Sequence, residues 1–110
     1  MQNYLKSEIV LVRYPFSDLT SAKVRPAVVV NAPHVSHDLF VVALTSKTTD
    51  LLAGEFILTQ WRKAGLNVET AVKRGVYTIK ATLVKKRVGK LEDTDVEQLE
   101  KSLRDWLGFR

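Results

Sequence analysis

Three short apolar runs rich in β-branched residues constrain the fold more than any other feature of the sequence. They are IVLV (residues 9–12), PAVVV (26–30) and LFVVAL (39–44), and polar or turn-forming residues bound each of them. Runs of this length and composition are typical of buried strands, and Pro26 is expected at the first residue of its strand because proline cannot donate to a ladder. The polar segment SDLTSAK (17–23) between the first two runs is predicted to be an exposed loop.

The second half of the chain continues the strand pattern with shorter segments. QWRKAGL (60–66) is the exception, because it is typical of a short helical turn, which Gly65 would end. The further strands are predicted at EFILT (55–59), TAVKR (70–74), VYTIKA (76–81) and LVKKRVGKL (83–91), while the first strand is expected to run through EIVLVRYPF (8–16).

The C-terminus changes to a helical period. Thr94 is followed three residues later by Glu97, which predicts a capping box at the start of a helix. Many strands with one terminal helix predict a mainly β, mostly antiparallel and partly closed barrel, in one domain over residues 1–110, with a short additional helix. A parallel α/β fold is not expected, because it would need a helix after nearly every strand and the sequence does not predict those helices. The apolar face of the terminal helix is expected to comprise Val96, Leu99, Leu103, Trp106 and Leu107.

Charge and cysteine content narrow the function classes. Lys and Arg number 17 against 12 for Asp and Glu, which gives a net charge of +5. The positive electrostatic field of such a protein favours binding to a nucleic acid or to an acidic protein. The absence of cysteine excludes disulfides, thiolate metal sites and a cysteine nucleophile. No secretory signal and no apolar run long enough to span a bilayer is present, so a cytoplasmic protein without membrane contact is expected.

Familiar cofactor and catalytic motifs are missing from the sequence. There is no glycine-rich phosphate loop, no HExxH, no cysteine pair and no GxSxG elbow. The segment HVSHD (34–38) could supply metal ligands or an acid–base pair, but no second cluster completes such a site. A solvated loop is therefore the favoured interpretation, and no metal or cofactor is predicted.

The remaining candidates for chemistry stand at the ends of two buried strands. Arg25 precedes one of them, while Thr45 and Ser46 follow another. If those strands are antiparallel neighbours, the three side chains converge at one edge of the sheet. A guanidinium offers forked donors that match phosphate oxygens. The alternative is that Arg25 pairs with a carboxylate such as Asp18 and that Thr45 only ends its strand.

The order of these segments resembles the PemK/MazF-like toxins of bacterial toxin–antitoxin systems. The resemblance covers nearly the whole chain, and its most specific pieces are PFSD followed by KVRPAVVV, the strand ending LTS, and the closing GKL. It implies the SH3-like barrel fold shared by CcdB and PemK, a homodimer, and metal-independent endoribonuclease cleavage of single-stranded RNA. It also implies a cognate antitoxin as partner, with DNA contacted only through the antitoxin complex.

The resemblance assigns the catalytic arginine to Arg25 and the catalytic threonine to Thr45. Arg25 would stabilise charge on the phosphoryl oxygens, with proton delivery to the leaving oxygen as an alternative role, and Thr45 would hold the phosphate. Attack by the ribose 2′-OH would leave a 2′,3′-cyclic phosphate, so DNA should not be cleaved. One departure is Lys80, where many relatives have an acidic residue. Supporting phosphate contacts are expected from Ser46, Lys23, Lys47, Lys73 and Arg74.

Two other functions remain open on the sequence. One is a toxin of the same fold that blocks a protein target such as DNA gyrase, as CcdB does. The other is a non-catalytic small barrel that binds RNA or a protein. The presence of both Arg25 and Thr45 favours the nuclease.

Overall fold

The computed structural model describes residues 4–13, 24–31 and 38–109, and no helix in these ranges is long and apolar enough to cross a membrane. Within them the chain forms strands that precede a single long helix. The strands are β1 (Glu8–Arg13), β2 (Val24–Val29), β3 (Asp38–Thr45), β4 (Phe56–Ile57), β5 (Ala71–Val72), β6 (Tyr77–Lys80) and β7 (Val84–Lys90); a 3₁₀ helix covers Ala81–Leu83, and α1 covers Asp93–Leu107.

The described strands form one antiparallel sheet in the order β4-β5-β3-β2-β1-β7, with β6 paired to β3 beside β5. The prediction of a mainly β, antiparallel fold with a C-terminal helix is confirmed. The predicted closure into a barrel is wrong, because β4 and β7 are the two edges of the sheet and the described residues show no ladder between them. The sheet is open.

The segment after β4 explains why the sheet does not close. Instead of extending as a strand toward β7, residues 60–66 form a helical turn, in which the Ala64 N–H donates to the Gln60 carbonyl at 3.1 Å. This turn still reaches β7, because the backbones of Ala64 and Gly65 pack directly against those of Val88 and Gly89. Backbone packing between the turn and β7 is thus present where a closed barrel would have a hydrogen-bonded strand pair. Gly65, with φ of 99°, ends the turn as the sequence predicts.

Both faces of the sheet are covered, which accounts for apolar runs without alternation. Odd and even positions of the same strand enter different clusters: Val28 belongs to the first and Val29 to the second. The first cluster packs under α1 and the turn, and its fully enclosed members include Ile9, Val28, Val42, Leu58, Val72, Leu91 and Leu99. The second packs against the 3₁₀ segment, and it includes Val10, Val12, Ala27, Val29, Leu39, Val41 and Ile79.

The start of α1 differs from the predicted capping box. The N-cap residue is Glu92, which makes no side-chain capping bond, so Thr94 lies inside the helix. The buried side chain here is Asp95, whose carboxylate accepts the backbone N–H groups of Thr59 (2.9 Å) and Gln60 (3.0 Å) and the Thr59 hydroxyl (2.9 Å). Asp95 therefore satisfies the free N–H groups at the start of the 60–66 turn and attaches that turn to α1.

Strand boundaries also differ from those predicted. EFILT contributes only the two residues of β4, because Thr59 already bonds to Asp95 and the chain turns there. Pro26 is the third residue of β2, not the first. The YPF part of the first strand and the SDLTSAK loop lie outside the described residues.

Candidate active site

Arg25 and Thr45 lie at the same end of neighbouring antiparallel strands. The β2–β3 register pairs Ala27 with Ala43, and Arg25 and Thr45 each lie two residues beyond this last pair, on the same side of it. Because side chains alternate along a strand, both extend the face that carries Ala27 and Ala43. The convergence that the sequence suggested is therefore present in the structure.

Pro26 explains why the two strands separate at this point. The N–H of Val30 donates to the Phe40 carbonyl at 2.8 Å, so alternate residues of β2 direct their N–H groups toward β3. The same alternation directs the nitrogen of Pro26 toward β3, where it has no hydrogen to donate. The β2–β3 pairing accordingly stops at Ala27. The last residues of both strands are thereby free to diverge around an open cavity.

This cavity measures about 390 Å³. Four of the sequence-predicted site residues, Arg25, Thr45, Ser46 and Lys73, lie on its wall. Lys73 adds a second cation. The described residues that line it are Arg25, Pro26, Ala43, Leu44, Thr45, Ser46, Leu66, Val68, Thr70 and Lys73.

Two small residues, Ala43 and Ala71, lie on the face of the sheet that carries Thr45 and Lys73, and Ala43 lines the cavity. Ala71 pairs with Thr45, and the Lys73 N–H donates to the Ala43 carbonyl at 2.9 Å, which continues the β3–β5 register. Ala43 therefore lies beside Lys73, and Ala71 lies beside Thr45, on the same face. Ala43 lines the cavity, so a larger side chain at this position would reduce the cavity volume.

The Thr45 hydroxyl has a defined orientation. Its oxygen accepts the backbone N–H of Lys47 at 3.1 Å, so the hydroxyl hydrogen is directed away from that amide and is available to an oxygen in the cavity. Thr45 is half-buried, whereas Arg25 and Ser46 are exposed. A fixed hydroxyl beside a solvent-facing guanidinium is suited to holding a phosphate.

The described lining of the cavity is cationic and carries no carboxylate or imidazole. Arg25 forms no ion pair with any carboxylate of residues 4–13, 24–31 or 38–109. The alternative partner, Asp18, lies outside the described residues. The charge of Arg25 is thus not neutralised by a carboxylate in the part of the chain that the structure describes.

The other predicted phosphate contacts are not brought to the cavity. Lys47 and Arg74 are exposed but do not line it, and Lys23 falls outside the described residues. His34 and His37 also fall outside them. Within the described ranges no three His, Cys, Asp or Glu residues are grouped closely enough to hold a metal ion.

Sequence reasoning missed the far wall of the cavity. Leu66, the last residue of the helical turn, and Val68 and Thr70 beyond it line the cavity, although they lie more than 20 residues beyond Thr45 along the chain. No local signal marks these residues, because they reach the site only through the pairing of β5 with β3.

Glu55 holds the strand end from which Lys73 projects. Its carboxylate accepts the backbone N–H of Leu52 at 2.7 Å and that of Arg74 at 2.8 Å. Burial acts to raise the pKa of Glu55, but these two hydrogen bonds and the charges of Lys73 and Arg74 outweigh it, so the pKa lies below its ordinary value of 4.5.

Stability should therefore depend on pH through Glu55. A depressed carboxyl pKa contributes stability that is complete above the unfolded-state value near 4.5 and is lost as the pH falls through the lower folded-state value. Urea unfolding of the wild type and of Glu55→Gln at about pH 7 and about pH 3 should show a smaller acid loss in the variant. Glu100, whose pKa the Lys6 hydrogen bond also lowers, titrates in both proteins and cancels in the comparison. Equal acid losses would contradict this role.

Comparison with known proteins gives a consistent result. The family model of the PemK-like, MazF-like toxin of type II toxin–antitoxin systems matches residues 6–107. No curated protein sequence matches. A mycobacterial endoribonuclease solved with its cognate antitoxin superimposes with a TM-score of 0.80 at 13% identity, covering 98% of each chain. MazF from Deinococcus radiodurans gives 0.78 at 16% identity, covering 99% of this chain and 100% of that one.

A third solved structure, the Mycobacterium tuberculosis toxin MazF-mt6, gives a TM-score of 0.74 at 18% identity, covering 94% of this chain and 98% of that one. At such identities the structural likeness shows the shared fold. The family model, which spans most of the chain, carries the relationship itself.

Proposed function

Because the chain belongs to the PemK-like, MazF-like toxins of type II toxin–antitoxin systems, we propose that it is a metal-independent endoribonuclease that cleaves single-stranded RNA. The observation that supports this most strongly is that Arg25 and Thr45 line one open, cationic cavity. A guanidinium and an oriented hydroxyl are the donors that a phosphodiester requires when no metal ion binds it.

The proposed reaction uses the ribose of the substrate as the nucleophile. The 2′-oxygen forms a bond to the adjacent phosphorus, and the bond from phosphorus to the next 5′-oxygen breaks. The products are a 2′,3′-cyclic phosphate and a 5′-hydroxyl. In this scheme the 2′-OH loses its proton to water and the departing 5′-oxygen takes one from water, since the described lining offers cations and hydroxyls but no carboxylate or imidazole.

The four cationic or hydroxyl residues Arg25, Thr45, Ser46 and Lys73 of the cavity each have a role in this reaction. Arg25 stabilises the charge that grows on the non-bridging oxygens, and the Thr45 hydroxyl donates to the same phosphate. Ser46 and Lys73, which also line the cavity, supply further donors. Lys23, Lys47 and Arg74 are assigned to phosphates further along the RNA, because Lys47 and Arg74 are exposed outside the cavity.

The proposed partners are a cognate antitoxin and a second copy of the chain. Solved relatives include an endoribonuclease bound to its antitoxin and a MazE–MazF complex. An antitoxin segment with acidic side chains would complement the net charge of +5 and could cover the cation-lined cavity.

The test is cleavage by purified protein in the presence of EDTA. We expect single-stranded RNA to be cut into fragments ending in a 2′,3′-cyclic phosphate, while DNA of the same sequence stays intact because it lacks the 2′-OH. Fragment ends are identified by treatment with a phosphatase before and after acid opening of the cyclic phosphate.

Intact RNA under these conditions would contradict the proposal. If the protein instead inhibits DNA gyrase, the toxin that blocks a protein target is favoured, and if it only binds RNA, the non-catalytic barrel is favoured. Cleavage that EDTA abolishes would refute metal independence.

A further inference from the structure

The cavity has an apolar wall that phosphate binding does not use. Leu66 and Val68 face the same space as Arg25 and Thr45, and Val68 is 54% exposed although it is a β-branched apolar residue. We propose that Leu66 and Val68 form the contact surface for a nucleobase next to the scissile phosphate, and that this surface selects the base by shape and not by hydrogen bonding. The inference rests on the proposed function.

The size of the cavity supports a ligand larger than a phosphate. Its volume of about 390 Å³ lies in the range of about 300–1,000 Å³ that is usual for small-molecule sites. The cations, Arg25 and Lys73, and the hydroxyl of Thr45 suit the phosphate. Leu66, Val68 and the ring of Pro26 provide apolar surface beside them. A nucleotide has the same division between a charged and a flat, weakly polar part.

The wall is held in place before any ligand binds. The Leu66 N–H donates to the Trp61 carbonyl at 3.0 Å, which attaches the wall to the 60–66 turn. The Thr70 hydroxyl donates to the Val68 carbonyl at 2.9 Å and closes a tight turn. Because little conformational entropy is lost on binding, such a preorganised wall can contribute to affinity despite its small area.

The same contacts use the polar groups of the wall. The Thr70 hydroxyl hydrogen is engaged by the Val68 carbonyl, and the Glu69 carboxylate accepts the Thr48 hydroxyl at 3.1 Å and does not line the cavity. The side chains of Leu66 and Val68 themselves offer a base aliphatic surface. Apolar pockets discriminate between ligands by only about 10–200-fold, in contrast to about 10⁴–10⁵ where buried hydrogen-bonding groups are left unpaired. Base preference at this position should therefore be modest and governed by size.

The experiment compares Val68→Ser with the matched control Val76→Ser. Both valines are exposed, at 54% and 39%, but Val76 does not line the cavity. Wild type and variants digest a randomised RNA pool, and the fragment ends are sequenced to obtain base preferences on both sides of the cut. We expect Val68→Ser to flatten the preference at one flanking position, with a fall of about tenfold in kcat/KM for the favoured base. Val76→Ser should keep the wild-type profile.

A binding measurement separates this inference from the proposed function. Fluorescence anisotropy measures the affinity for an RNA that carries one 2′-deoxynucleotide at the preferred cleavage site. This RNA can bind but cannot be cleaved there, so its affinity reports base contacts alone. If the wild type cleaves no RNA, a set of RNAs that differ at single positions is used instead. Unchanged preference and affinity in Val68→Ser, with an active wild type, would overturn the nucleobase wall alone. Base-selective binding that Val68→Ser weakens would support the wall even if cleavage is absent. No RNA binding at all would overturn both.

Discussion

Replacing Arg25 with glutamine is expected to slow RNA cleavage by about 10²–10³-fold, equivalent to roughly 3–4 kcal/mol of lost transition-state stabilisation. The guanidinium lines the same cavity as Thr45, and its charge does not depend on pH near neutrality. Glutamine keeps much of the side-chain length but loses the charge and the forked donors. Single-turnover cleavage of a short RNA, with enzyme in excess, measures the chemical step.

The matched control for this variant is Arg104→Gln, which removes the same charge from the exposed face of α1. It should cleave at the wild-type rate. Arg25 is exposed, so its replacement should leave the thermal midpoint unchanged, and a loss of rate cannot then be attributed to unfolding. Thr45→Val should also reduce the rate, and the double variant should lose less than the product of the two, because both groups act on one phosphate. Full activity in Arg25→Gln would remove the mechanism.

The second large effect is expected from Gly89→Ala, which should destabilise the fold by roughly 3 kcal/mol. A Cβ at this position would overlap the carbonyl oxygen of Ala64 and lie 2.8 Å from its carbon, and both contacts are with backbone, which cannot rotate away. The 60–66 turn would have to move off β7. Thermal unfolding should show a midpoint lower by on the order of 10 °C or more.

Gly108→Ala is the control for Gly89→Ala. Gly108 ends α1 with φ of 78°, and a Cβ there would meet nothing within 4 Å, so only the backbone strain of about 1 kcal/mol remains. If the two variants unfold at the same temperature, close packing of the turn against β7 is not important for stability. Because Leu66 is the last residue of the 60–66 turn, Gly89→Ala should also disturb the wall of the cavity.

Much of the secondary structure followed from local pattern. The apolar runs predicted β1, β2 and β3, and the helical period predicted α1, since each of these elements expresses its own periodicity. The predicted capping box at Thr94 was wrong, because the start of the helix depends on a tertiary contact. The Asp95 carboxylate accepts hydrogen bonds from the backbone N–H groups of Thr59 and Gln60. The barrel was wrong because the segment after β4 makes a turn where closure needs a strand.

The candidate site was predictable in part. Arg25, Thr45 and Ser46 stand at strand ends, and an antiparallel pairing of adjacent strands was enough to expect them together. Lys47 and Arg74 were placed with them on charge alone, and charge does not determine the direction of a side chain. The sequence did not identify Leu66 and Val68 as site residues, because no motif near them in the chain indicates that they line the cavity.

The sequence by itself determined where strands and the helix form and which ends carry cationic and hydroxyl groups, because these depend on residue spacing within a few positions. It also contains the proline that interrupts pairing between β2 and β3. Only the tertiary structure decided which residues complete the cavity and whether the sheet closes. Those outcomes depend on strand pairing and on backbone contact between segments far apart in the chain, such as Ala64 with Gly89, whose energy exists only once the fold has formed.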